Sequence, residues 1–155
     1  MMKNNGFTLI EILVVFSFIG ILTTLGVASY ASYNGTQSVH SATNDVVTLL
    51  QSAKSRSISQ VIPSSNSCVV NSLSGYEVDM TPGGQQYTLF AVCGGKMSIS
   101  TAQLPYQVSF SASSTPTVFF NIADGTVTTP ATIQVTGFGK IRTITVSQIG
   151  SMTVQ

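Results

Sequence analysis

The chain has 155 residues, enough for one domain with its own core and too few for two comfortable ones. Charged residues make up 7 % of it and the formal net charge is +1, so neither a broad basic face for nucleic acid nor an acidic tail is available. The mean hydropathy of +0.37 is high, but most of the excess lies in one N-terminal run; the chain has 22 Ser and 19 Thr, and outside that run these hydroxyls carry the polarity in place of charges.

Residues 1–6 read Met-Met-Lys-Asn-Asn-Gly, and from Phe7 to Ala28 the chain is almost wholly apolar with one charge, Glu11. At 1.5 Å per residue this run makes a helix of about 33 Å, enough to cross the hydrocarbon of a bilayer. Lys3 and the free amine precede it, so the positive-inside rule keeps that end in the cytoplasm and puts the rest of the chain outside. A cleavable secretory signal is also basic, then apolar, then small, and Ser29-Tyr30-Ala31 has the form of its cleavage site. Its apolar stretch, however, spans only about 7–15 residues and excludes acids. A plain membrane anchor fits the length but gives no reason for a carboxylate. A filament subunit accounts for both.

Glu11 is the informative residue. An acid inside a membrane helix costs about 2.5–3.5 kcal/mol on insertion scales. No Lys, Arg or His lies within a helical turn or two of it. If the leader is cut after Gly6, a new α-amine appears on Phe7 at the level of the apolar region. The Glu11 of one subunit then pairs with the Phe7 amine of a neighbour, and that pairing sets the axial register. Gly6-Phe7-Thr8-Leu9-Ile10-Glu11 resembles the prepilin peptidase motif of type IV pilins and type II secretion pseudopilins. The resemblance implies cleavage after Gly6, N-methylation of Phe7 and a register-setting role for Glu11. It also implies other pilin subunits, a prepilin peptidase, an inner-membrane assembly platform and, before assembly, membrane lipid as partners. Major pilins often carry a proline further along this helix. Here none occurs before Pro63, so any local melting falls to Gly20 and Gly26.

After Tyr33, Asn34-Gly35-Thr36 marks a break or weak point in the helix. Val39, Ala42, Val46, Leu49 and Ala53 then fall at steps of three and four, and Leu50, Ile58, Val61 and Ile62 widen the stripe. Ser41, Asn44, Thr48, Ser52 and Ser55 form the polar face. This predicts an amphipathic continuation over 31–62, packed on the sheet of the head and ended by Pro63. His40, the sole histidine, reads as a solvated surface residue.

From 63 to 155 the chain shows strand signals. Cys68–Val70, Tyr76–Met80, Tyr87–Cys93, Gln107–Phe110, Val118–Ile122, Ile133–Thr136 and Ile141–Val146 are short, β-branched or aromatic, and separated by Gly, Pro or Ser clusters. Thr81–Gly84 and Gly94-Gly95 are turns, and Asp124-Gly125 carries a two-residue hairpin signal. The predicted fold is α+β: a long N-terminal helix, transmembrane over 7–30 and then amphipathic, on an antiparallel β-sheet or β-sandwich head. Cys68 and Cys93 in an exported head point to one disulfide closing a loop of about 25 residues, with two buried free thiols as the alternative. Two thiols without a histidine make a poor metal site.

The stretch Val118–Val127, then Ala131–Thr136, then Arg142–Gly150 is similar to the end of GspH/FimT-type minor pilins and pseudopilins. Some of that group bind DNA through arginines just after the closing glycine. Here Gly150 is followed by Ser151–Gln155 with no basic residue, a departure from that pattern. Lys140 and Arg142 alternate onto one face and are the candidate DNA contacts, but two charges give little phosphate affinity. Glu77 and Asp79 share one strand face without a basic partner near them in sequence, and a calcium site at Glu77, Asp79 and Asp124 would need convergence in the fold. No constellation for catalysis and no cofactor motif is present. The expected function is a structural, minor subunit of a type IV pilus or type II secretion pseudopilus, held in the inner membrane and then in the filament. The alternative is a minor pilin whose head binds DNA or a secreted substrate.

Overall fold

The computed structural model describes residues 8–63, 68 and 73–155, without the side chains of residues 24–28 and 31. It divides into two compact units, Met1–Gly35 and Thr36–Gln155. One helix, α1, spans Leu9–Ile58, and eight strands follow. The strands are β1 (Gly75–Met80), β2 (Gln86–Val92), β3 (Lys96–Gln103), β4 (Val108–Phe110), β5 (Thr117–Asn121), β6 (Ala131–Gly137), β7 (Lys140–Val146) and β8 (Met152–Val154). The chain is α+β.

The backbone is helical at Asn34, Gly35 and Thr36, where the sequence predicts a weak point. A single Gly in a helix costs only about 1 kcal/mol, too little to end a long one. α1 stops at Ile58, short of the predicted Ile62, because a capping motif intervenes. Gln60 takes φ 50°, its N–H donates to the Ser57 carbonyl (3.3 Å), and the Val61 N–H donates to the Arg56 carbonyl (3.1 Å). These two bonds are the Schellman pair that satisfies the last free carbonyls of a helix.

Most of the predicted stripe is buried. Val39, Ala42, Val46 and Ala53, with Leu50 beside them, are at most 1 % exposed, Leu49 and Ile62 are half-buried, and Ile58 and Val61 face solvent. Ser57 takes the buried position in that last turn. Its hydroxyl donates to the Phe120 carbonyl (3.0 Å) and its carbonyl accepts from the Ala123 N–H (3.1 Å). Thr43, also buried, donates to the Val39 carbonyl one turn back, so its hydroxyl is not orphaned.

The strands form two antiparallel four-stranded sheets, sheet A in the order β3-β2-β1-β5 and sheet B in the order β4-β6-β7-β8. Alternation puts Tyr76, Val78 and Met80 of β1 and Leu89 and Ala91 of β2 inward, with Val118 and Phe120 of β5. Ile133, Val135, Ile144 and Val146 do the same for sheet B, and all join the helix stripe in one core. Each such side chain contributes about 1.5–3 kcal/mol on burial. Burial also pushes the Tyr87 phenol up, with the Asp45 carboxylate on α1 adding to the effect.

Two strands escape the sequence signals. β3 is an edge strand, half of it Ser, Thr and Ala, and β8 is three residues long. Of the predicted strand Cys68–Val70, only Cys68 is among the described residues. The predicted hairpin at Asp124-Gly125 is a four-residue loop: the Asn121 N–H bonds the Thr126 carbonyl, and beyond β5 only Phe120 and Val127 pair. Asp124 is responsible. Its carboxylate accepts from both the backbone N–H and the hydroxyl of Thr126 (2.9 Å each), which turns the chain locally. The two-residue hairpin lies instead between β6 and β7, where Phe138 (φ 52°) and Gly139 (φ 71°) both take the left-handed region that a type I′ turn requires.

Candidate assembly helix

The N-terminal end of α1 is capped by its own sequence. The Glu11 N–H donates to the Thr8 hydroxyl (3.3 Å) and the Ile12 N–H to the Thr8 carbonyl (3.3 Å). Thr8 is therefore the N-cap and Glu11 the third helical residue, the Thr-x-x-Glu order of a capping box. That signal stands in the sequence and is absent from the reading of Glu11 as a register residue alone. A carboxylate in the first turn gains about 0.3–1 kcal/mol from the helix dipole. In an apolar medium it costs about 2.5–3.5 kcal/mol, so the cap offsets only a fraction and a counter-charge is still required. Among the described residues Glu11 forms no salt bridge.

The side chains that follow are apolar on every face and exposed all round: Leu9, Ile10, Ile12, Leu13, Val14, Val15, Phe16, Phe18, Ile19, Ile21 and Leu22 range from 44 % to 82 % exposed. A helix apolar on all sides belongs inside a larger protein assembly or a bilayer. Two of its hydroxyls are paired within the helix. Ser17 donates to the Leu13 carbonyl (2.9 Å) and Thr23 to the Ile19 carbonyl (2.7 Å). A side chain added at Gly20 would meet nothing, so that glycine is not required by any close approach within the chain. Among the described residues no helix is long and apolar enough to cross a membrane; the side chains of residues 24–28 lie outside that set, and the apolar sequence run passes through them. Gly6 and Phe7, the predicted cleavage and methylation residues, also lie outside the described residues.

The other predicted residues sit in the head. Cys68 and Cys93 are joined by a disulfide, with Cα atoms 5.3 Å apart. The bridge ties the chain beyond α1 to the β2–β3 turn. Glu77 and Asp79, which sequence reading leaves without a basic partner, have one: Lys96 at the start of β3 donates to Glu77 Oε1 (2.7 Å) and Asp79 Oδ2 (2.9 Å). These bonds hold the ammonium above its usual range, while burial pushes the Glu77 carboxyl up. Asp124 does not join them, because its carboxylate is spent on Thr126; the Thr126 N–H holds its carboxyl below the usual range. No group of three His, Cys, Asp or Glu among the described residues is placed to hold a metal ion.

Lys140 and Arg142 lie on the core-side face of β7, in line with the buried Ile144 and Val146, where the strand runs past the core. His40 is exposed and its Nδ1 lies 3.1 Å from Asn44 Nδ2. Lys54 is a residue that sequence reading does not single out. From α1 it donates to the carbonyls of Ile149 (3.1 Å) and Gly150 (3.0 Å), and Gly150 (φ 69°) has no room for a Cβ beside the Gly125 carbonyl. The closing glycine is thus a packing requirement of the loop that Lys54 holds.

A capped, wholly apolar helix that turns amphipathic and leads into a small β head defines the pilin-type subunits. Residues 1–27 match the prokaryotic N-terminal methylation motif. Residues 42–150, more than half of the chain, match the family model of the type II transport protein GspH, and the chain belongs to that family. No curated protein and no solved structure matches it. The protein is accordingly a pilin or pseudopilin subunit of type II secretion or type IV pili, from a family of structural subunits that assemble with one another.

Proposed function

We propose that this chain is made as a prepilin, cut after Gly6, methylated on the Phe7 amine and packed into a filament through α1 as a minor subunit. The observation that carries the reading is the contrast on that helix: eleven large apolar side chains exposed around its circumference, with one carboxylate at its capped end. Before assembly the helix rests in the inner membrane with the head outside the cytoplasm, as Lys3 on the N-terminal side favours. In the filament Glu11 meets the Phe7 amine of a neighbour. A single charge pair in apolar surroundings admits one stagger, because any other leaves two unpaired charges.

The test is direct. Mass spectrometry of the mature chain gives a start at methylated Phe7. Glu11→Ala is processed like the parent, yet its incorporation into sheared filaments falls about ten-fold or more, given the cost of leaving the neighbour's Phe7 ammonium unpaired in that setting. A mature chain beginning elsewhere, or normal incorporation of Glu11→Ala, refutes the register mechanism.

A further inference from the structure

The head carries two groups of charge that do not meet within one chain. The first is on the outer face of sheet A. Two carboxylates, Glu77 and Asp79, share one ammonium, Lys96, so negative charge is in excess. Asp79 Oδ2 takes the ammonium, while Oδ1 is buried with no hydrogen-bond partner. Asp79 also forms a wall of a cleft of about 460 Å³, with Gln86, Thr88, Phe90, Pro116 and Thr117.

The second group is the β6–β7 tip. Lys140 is exposed, Arg142 half-buried, and Phe138 and Ile141 are 46 % and 65 % exposed. Among the described residues neither Lys140 nor Arg142 has a carboxylate within ion-pair distance. The other two lysines of the described chain are committed, Lys96 to the carboxylates and Lys54 to the Ile149 and Gly150 carbonyls.

We propose that the cleft of one copy receives the Phe138–Arg142 tip of a second copy of this chain. Charge complementarity selects the occupant: the two cations of the tip answer a cleft flanked by two carboxylates and one ammonium. The tip is also apolar enough to cover the cleft's Phe90 and Pro116, and the ring of Phe90 already accepts one ammonium over its face, Lys96 at 5.6 Å from the centroid. Cleft and tip lie on different sheets and are two different patches, so two copies can each place a tip in the other's cleft and close as a pair, which suits a minor subunit. The proposal goes beyond the function of α1, since it concerns the heads alone and holds or fails whatever sets the register of the helices.

The full chain is placed in lipid vesicles as a mixture of Thr117→Cys and Ile141→Cys copies, and a short bis-maleimide joins thiols that approach. Because the native cysteines are bridged, only the introduced ones react. A homodimer that needs both variants is expected, with a yield falling about five-fold when salt rises from about 50 mM to about 500 mM. Lys140→Glu with Arg142→Glu lowers it by a similar factor, and the salt series keeps the test valid if that variant folds poorly. A homodimer indifferent to salt and to charge reversal overturns the proposal. So does no cross-link, or capture only of a different protein when the vesicles are made from cell membranes. None of these outcomes bears on incorporation of Glu11→Ala, which tests the helix.

Discussion

The two ends of α1 are built from similar side chains and do opposite things with them. From Leu9 to Leu22 every large apolar residue is exposed, whereas between Val39 and Ala53 five apolar positions are sealed against the strands of the head. The difference lies in patterning. The second stretch alternates apolar and polar at helical spacing, so one face suffices to meet a core in the same chain. The first is apolar all round, and no single surface can cover it. One half of the helix completes a fold and the other half is left for an assembly to complete.

Substitutions can break that comparison at either end. The largest effect is expected from Leu50→Ala, which empties a fully buried position and should cost the head about 2–5 kcal/mol, read as a lower denaturation midpoint of the full chain in detergent. Leu13→Ala should leave that midpoint where it is. If both substitutions shift it equally, the two halves of the helix are not distinct. Next comes the disulfide. Replacing Cys68 and Cys93 by Ser opens a loop with a sequence separation of 25 and should cost about 3 kcal/mol, again by denaturation, under oxidising conditions where the parent keeps its bridge.

Ser57→Ala sharpens the boundary of the buried stretch. It removes the hydrogen bond to the Phe120 carbonyl in a buried setting and should cost about 1 kcal/mol, whereas Ser55→Ala, two residues away on the exposed polar face, should cost close to nothing. The smallest effect is a pH slope. Burial raises the Glu77 carboxyl above its ordinary 4.5, so the folded chain holds that proton more tightly than the unfolded one. The contribution of Glu77 to stability is therefore greatest below 4.5, declines as pH rises through the raised value, and is flat above it. Glu77→Gln should remove that decline in a pH series of thermal midpoints; a slope that persists in the variant assigns it to another group.

The helix was legible because its chemistry is local. Apolar run, lone acid and amphipathic stripe each follow from neighbours within one or two turns, and Val39, Ala42, Val46, Leu50 and Ala53 are buried as their spacing demands. The end of the helix was not, because the cap depends on Gln60 accepting a left-handed conformation, which residue type alone does not announce. The same holds for the β6–β7 turn, where Phe138 takes positive φ, and for Asp124-Gly125, where a side-chain bond to Thr126 overrides a good hairpin signal. The ion-pair cluster was hidden for a different reason. Lys96 lies 17 and 19 residues from its partners, on an edge strand whose serines and threonines lack the large apolar alternation that marks β1 or β2. On α1 the Thr-x-x-Glu order already offers Thr8 as the cap of the turn that carries Glu11, and the hydrogen bond between them bears that out, whereas Gly6 and Phe7 lie outside the described residues.

One detail of the apolar stretch has a mechanical corollary. Ser17 and Thr23 spend their hydroxyls on carbonyls of their own helix, so neither asks anything of its surroundings. A rod wired in this way exchanges one oily solvent for another without forming or breaking a single polar bond along those turns. Whatever work is needed to pull it from lipid into a bundle of its kin is then concentrated at its tip, where Glu11 waits, and the shaft itself slides nearly free.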